Sequence, residues 1–246
     1  MESYSLDCLD VVERSHRAGV KYVMTIGIDL KSSQAAVAIA DNYPNIYCAI
    51  GVHPHHCAET GPNDYDALAE LAKHPKVKAY GEIGLDYVKN YAPVAAQIDC
   101  FKRQVLLAKK LKLPLIIHDR EAHDDVMDIL NEAAPFPAGG VMHCYSGDKE
   151  LAKEVIALGF YLSIPGVVTY DKAITIHEAV AEIPLESMLI ETDGPFLSPV
   201  PFRGKRNEPG YLLYTAQKIA EIKRVSIDTV ARQTSRNSCR LFGLQE

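Results

Sequence analysis

VKAYGEIGLDYVKNYAPVAAQIDCFKRQVLLAKKLKLPLIIH, residues 77–118, decides the fold. It opens with an apolar run over 77–87 that reads as a strand. A helix over about 97–111 follows, with Ile98, Phe101, Val105, Leu106 and Ala108 on its inner face. It closes on LPLIIH (113–118), an apolar run of strand length. Parallel strands need a crossover between them and are covered on both faces, so strand–helix–strand with near-continuous apolar strands predicts a parallel sheet.

The same unit repeats on both sides. Upstream, KYVMTIGI (21–28) and IYCAIGVHP (46–54) read as strands. Helices are expected over 32–43, capped by Ser32 or Ser33, and over 64–73. Downstream, GGVMHCY (139–145), GFYLSIPG (159–166) and SMLIETD (187–193) read as strands. Helices are expected over 123–130, 149–158 (ended by Gly159), 173–181 and 211–223, and over 227–234 behind a Ser226 cap. That makes seven strands, while residues 5–18 read as a helix where an eight-stranded barrel needs its first strand. No G-x-G-x-x-G follows the first strand and no G-x-x-x-x-G-K-[ST] occurs, which disfavours a nucleotide-binding open sheet. The 246 residues match the roughly 250 of a (β/α)₈ barrel, and no linker divides them, so one domain over 1–246 is expected.

Composition narrows the function. With 48% hydrophobic and 24% charged residues the chain can bury a core, which excludes disorder. A net charge of −6 excludes a general nucleic-acid binder, so any polynucleotide must be held locally by a metal or a small basic patch. The six cysteines form no C-x-x-C pair, which fits neither a zinc knuckle nor a thioredoxin-like site and suits a reducing cytosol. The charged N-terminus lacks a signal-peptide core, and the longest uncharged stretch (155–170) is too short to span a bilayer. A soluble, cytoplasmic protein with no membrane partner is expected.

Polar residues gather at the C-terminal ends of the expected strands: His53, Glu82 with Asp86, His118 with Asp119, His143, and Glu191 with Asp193. In a barrel these ends converge on one face. Glu82, His118, His143 and Asp193 are therefore candidate ligands of a divalent metal. Singly, each has a plain alternative: a histidine bonded to a loop carbonyl, or an aspartate capping its turn. Gly81 and Gly84 beside Glu82 leave room for close approach. Of the cluster His53, His55 and His56, His53 is the functional candidate. His16, His74, His123 and His177 read as solvent-facing. In FRGKRNEP (202–209), Arg203, Lys205 and Arg206 leave the same strand end as Asp193 and can reach a phosphate.

GVHPHH, GEIGLDY, IIHDREAHDD, MHCYSGD, ETDGPFL and RGKRNEP, in that order over about residues 20–243, resemble the TatD-type deoxyribonucleases. These are metal-dependent hydrolases of the amidohydrolase-like TIM-barrel class. The resemblance implies a TIM-type (β/α)₈-like barrel and hydrolysis of DNA phosphodiester bonds, often exonucleolytic. It makes Glu82 a metal-bridging carboxylate, His118 and His143 ligands of one metal, and Asp193 both ligand and base. His53 would contact the substrate phosphate or help position water. Many family members open with a strand ending in an H-x-H pair that binds a second metal. This chain's opening resembles the family's first helix instead, so the first strand is expected to be absent and a second ion to be held weakly.

The expected function is thus a deoxyribonuclease, an exonuclease acting on single-stranded or frayed DNA. One or two divalent ions (Mg, Mn or Zn) serve as cofactor, Asp193 and His53 are catalytic, and Arg203 and Arg206 bind substrate. A small-molecule amidohydrolase or lactonase is one alternative. The absence of a strand-end lysine for carbamylation and the basic loop weigh against it. A catalytically impaired barrel acting as a binding protein is the other.

Overall fold

The computed structural model describes residues 2–89 and 91–246. Seven strands are hydrogen-bonded in chain order, every pair parallel. They are β1 (Val23–Ile26), β2 (Ile46–Ile50), β3 (Val77–Asp86), β4 (Leu115–Arg120), β5 (Gly140–Met142), β6 (Phe160–Ile164) and β7 (Met188–Ile190). The helices are α1 (Cys8–Arg17), α2 (Leu30–Asp41), α3 (Pro62–Leu71), α4 (Val94–Leu111), α5 (His123–Ala133), α6 (Lys149–Ala157), α7 (Ile174–Glu182), α8 (Leu212–Lys223) and α9 (Ile227–Phe242).

Two apolar layers curl this sheet into a barrel. The larger lies between strands and helices and includes Ile50, Tyr80, Leu85, Phe101, Ile117 and Leu162. The smaller fills the interior with side chains from all seven strands, among them Met24, Ala49, Ala79, Ile116, Val141, Tyr161 and Leu189. Strands present alternate residues to opposite faces, which is why neighbours such as Ile116 and Ile117 belong to different layers. Leu241 and Phe242 join the inner layer from the end of α9. Among the described residues no strand pairs with the free edges of β1 and β7, and all four residues of β1 are only half-buried.

Four expectations need correction. Helix α2 is capped by Asp29, not by Ser32 or Ser33: Asp29 accepts from the Ser32 N–H at 2.6 Å, and Ser32 Oγ accepts from the Asp29 N–H at 3.0 Å. Helix α9 does not stop at residue 234. Its later polar stretch stays helical because Asn237, 4% exposed, donates to the Leu185 and Met188 carbonyls at 2.7 and 2.8 Å. Leu106, expected inside, is 63% exposed. The buried stripe of α4 runs through Gln97, Cys100, Phe101, Gln104, Val105 and Ala108, with two glutamines in apolar positions. His74, His123 and His177 are half-buried and bonded: His74 Nδ1 accepts from the Lys76 N–H at 3.3 Å, His123 pairs with Asp119 at 2.6 Å and His177 with the Val168 carbonyl at 2.7 Å. Ser226 does cap α9, and Gly159 follows α6 with φ +80°.

Candidate metal centre

Strand ends deliver the candidate residues by continuing the ladder. The His143 N–H donates to the Ile117 carbonyl (3.0 Å), that of Glu191 to Ile164 (3.1 Å) and that of His53 to Ile28 (2.9 Å). Glu82 arrives differently. The β3–β4 register shifts between Tyr80 and Ile83, and both flanking residues are buried in the outer layer. One extra residue between two outward-facing positions turns Glu82 toward the interior, as bulges beside active sites commonly do.

Glu82 is the hub. Its Oε1 lies 2.5 Å from His118 Nδ1, 2.9 Å from His143 Nε2 and 3.5 Å from His53 Nε2. All four side chains are between 10 and 16% exposed. Ligand atoms of His53, Glu82 and His118 lie within 4.8 Å of one another. Around them stand Glu191, 3.2 Å from His143 Nδ1, and Asp86, 3.6 Å from His118 Nε2 and 2.7 Å from His55 Nε2. Asp193 follows at the end of the Glu191 segment with φ 49°.

The ionisation pattern follows from burial set against charge. Burial opposes the Glu82 carboxylate, but the His143 charge and hydrogen bonds from His118, His143 and His53 outweigh it and hold its pKa well below the usual range. Burial likewise opposes an imidazolium at His143, and Glu82 and Glu191 outweigh it, raising His143 well above an ordinary histidine. Desolvation wins at His53, whose pKa is lowered despite Glu82. It wins at Asp193 too, where burial pushes the carboxyl up to about 7 against the pull of His143. Asp86 is buried as well, yet the Lys89 N–H, His55 and the Val88 N–H bring its pKa to about 2. Carboxylates and imidazoles stand together here, the donor set of a divalent ion once His143 gives up its proton. His118 Nε2 is buried without a hydrogen-bond partner, which marks polar capacity left for a ligand. The residues of this cluster therefore fit a metal, with His53, Glu82 and His118 offering ligand atoms within reach of one another.

The loop after β7 is built more tightly than its charges suggest. Asn207, fully buried, donates to the Phe196 carbonyl at 2.7 Å and to the Thr192 carbonyl, clamping the turn that carries Asp193. Arg206 donates to both Asp7 carboxylate oxygens (2.8 and 2.6 Å) and to Glu208 at 2.8 Å. Arg14 donates to the same two carboxylates. Tyr4 donates to the Asn207 carbonyl at 2.6 Å, and a side chain at Gly194 would meet its hydroxyl. Arg203 is exposed and lies over the Tyr170 ring at 4.4 Å.

A family model described as TatD related DNase matches residues 1–243. The chain belongs to this family. It is 43% identical to an uncharacterized metal-dependent hydrolase, YabD, of Bacillus subtilis, covering 98% of this chain and 94% of that one. It is 35% identical to a protein of Citrobacter rodentium named 3'-5' ssDNA/RNA exonuclease TatD, covering 96% and 91%. The crystal structure of YJJV, a TatD homologue from Escherichia coli, superposes with a TM-score of 0.94 at 29% identity, covering 98% and 94%. A metal-dependent hydrolase on a TatD-type barrel is what family and fold establish together. No helix among the described residues is long and apolar enough to cross a membrane.

Sequence reasoning missed two groups of this site. Half-buried His55 pairs with buried Asp86 beside His118, and Asp86 was visible only as one polar residue at a strand end. The Asn207 clamp lay hidden in a loop read for its positive charges.

Proposed function

We propose that the chain hydrolyses phosphodiester bonds of DNA, working from an end of single-stranded or frayed strands. What supports this most is Glu82 Oε1 lying within 2.5–3.5 Å of three imidazole nitrogens at the barrel mouth. The name of the 35% identical exonuclease points the same way. Electrostatics adds a physical reason for a cation. Glu82, Asp86, Glu191 and Asp193 surround the mouth, and a polyanion approaches carboxylates only with positive charge between them.

Glu82, His118, His143 and Asp193 would hold one or two ions of Mg, Mn or Zn. Bound there, a divalent ion supplies Lewis-acid polarisation of a phosphoryl oxygen and acidifies water. Asp193, which feels the charges of His143, Glu191 and Glu82, is placed to take up the proton that attacking water releases. His53 Nδ1 accepts the His55 N–H at 3.2 Å, which leaves the proton on Nε2. Nε2 faces the cluster, so His53 donates to a phosphate oxygen. Proximity alone would make it a fifth ligand, but the tautomer favours the donor role. Arg203 is the free arm for a neighbouring phosphate. Arg206 reaches substrate only by exchanging its carboxylate partners.

The test compares demetallated protein, titrated with Mn²⁺, Mg²⁺ or Zn²⁺, on single-stranded DNA labelled at its 5' end, a carboxyester and a lactone. Metal-dependent shortening of the DNA is expected. Turnover of the ester or lactone alone would favour the small-molecule hydrolase. Metal binding with no turnover of any substrate would favour the impaired binding protein.

A further inference from the structure

Helix α4 carries two fully buried glutamines, Gln97 and Gln104, two turns apart on one face. Each uses its whole amide. Gln104 Oε1 accepts from the Val52 N–H at 2.8 Å, while Nε2 donates to the Val52 carbonyl at 2.8 Å and to Cys100 Sγ at 3.3 Å. Gln97 Oε1 accepts from the Asp86 N–H at 2.8 Å, and Nε2 donates to the Asp86 and Ala92 carbonyls at 3.1 and 2.9 Å. Each amide thus pairs with one residue's N–H and C=O, as a neighbouring strand would.

The residues gripped are those that lead into the site. Val52 immediately precedes His53. Asp86 ends the strand that carries Glu82, bonds His55 and faces His118. These are also the strand ends where the ladder is least regular. The β2–β3 register shifts between Cys48 and Ala49, and its last pair is Ile50 with Tyr80. The β3–β4 register shifts between Tyr80 and Ile83. A bulge that aims a ligand inward weakens the sheet's own hold on register, and a fully satisfied buried amide restores it from outside the sheet.

We propose that Gln97 and Gln104 are positioning residues, through which one rigid helix sets where the ends of β2 and β3 stand relative to each other. Gln97 acts on the metal ligands by way of Asp86 and the end of β3. Gln104 acts on His53. The two therefore have separable effects, which a purely structural role does not give. The inference rests on the metal reading above.

The test uses the full chain and measures Mn²⁺ affinity from the free-ion EPR signal, and inorganic phosphate affinity of the Mn²⁺-loaded protein. Gln97→Met should weaken Mn²⁺ by about tenfold or more, the usual scale for groups that orient ligands. Gln104→Met should leave Mn²⁺ affinity within about twofold and weaken phosphate as His53→Ala does, with no further loss in the double variant. Val105→Ala, a buried apolar truncation on the same helix, should lower the melting temperature and leave both constants unchanged. Where Gln97→Met does not fold, Gln97→Glu keeps an acceptor for the Asp86 N–H and must still weaken Mn²⁺ more than Val105→Ala. Glutamine variants that change affinity no more than Val105→Ala overturn the positioning role. Wild-type protein that binds no Mn²⁺ overturns the metal reading instead.

Discussion

Replacing Gly84 with alanine should damage stability and the metal site together, for a reason readable from two atoms. A Cβ at Gly84 would lie 1.9 Å from the carbonyl oxygen of His118 and 3.0 Å from its nitrogen. The two residues are register partners across β3 and β4. For ordinary contact the β4 backbone must retreat by about 1.5 Å, which a close-packed interior resists. Overpacking of this kind costs about 1–3 kcal/mol. The φ of +149°, open to glycine and rarely adopted by L side chains, adds about 1–3 kcal/mol. Together these make a loss of about 4 kcal/mol, a large share of a typical 5–15 kcal/mol. Gly159 separates strain from clash: its φ is +80°, but a Cβ there meets nothing within 4 Å. Gly159→Ala should lose only about 1–2 kcal/mol. Urea unfolding of both variants followed by circular dichroism, with Mn²⁺ affinity measured alongside, checks this. Moving β4 breaks the 2.5 Å contact of Glu82 with His118, so only Gly84→Ala should weaken Mn²⁺. If the two variants unfold within about 0.5 kcal/mol of each other, the claim that β4 closes against Gly84 is wrong.

Asp193→Asn should lower kcat on DNA by about 100-fold or more, the general-base contribution. It should also stabilise the metal-free protein at pH 8. A carboxyl raised to about 7 keeps its proton longer when folded, so native stability falls between pH 4 and pH 7; the variant escapes a loss of up to about 4 kcal/mol, and its advantage vanishes near pH 4 in EDTA-treated melts. Arg206→Ala should lower the melting temperature at neutral pH. Asp7, held at about 2 by Arg206, and Glu208, lowered by Arg14, stabilise the fold above their unfolded pKa values and lose that effect as pH falls through the folded ones, so the difference from wild type should close between about pH 4 and pH 2. Arg203→Ala should raise KM for single-stranded DNA and flatten its salt dependence while leaving kcat nearly unchanged, as losing one phosphate contact does.

The seven strands and their order were legible because strands buried on both faces read as unbroken apolar runs, and the gathering of Glu82, His118 and His143 at one end was legible because such strands leave few places for a histidine or carboxylate. Buried polar residues that serve the backbone were not legible. Gln97, Gln104 and Asn237 sit at apolar positions of their helices, and nothing in a pattern of hydrophobic spacing shows that a carbonyl waits opposite each of them. Gly81 and Gly84 were read as leaving room for close approach. What comes close is β4 itself, with Ile116 against Gly81 and His118 against Gly84. Arg206 looked like a phosphate contact because charge in a loop shows no partner in sequence, and its partner Asp7 lies at the far end of the chain.

The most direct measurement is an anomalous difference map from a crystal soaked in Mn²⁺. A peak bonded to Glu82, His118 and His143, with Asp193 coordinated directly or through one water, is the predicted result. Saturating Mn²⁺ that leaves no peak beside Glu82, or places its only peak elsewhere on the barrel, would contradict it.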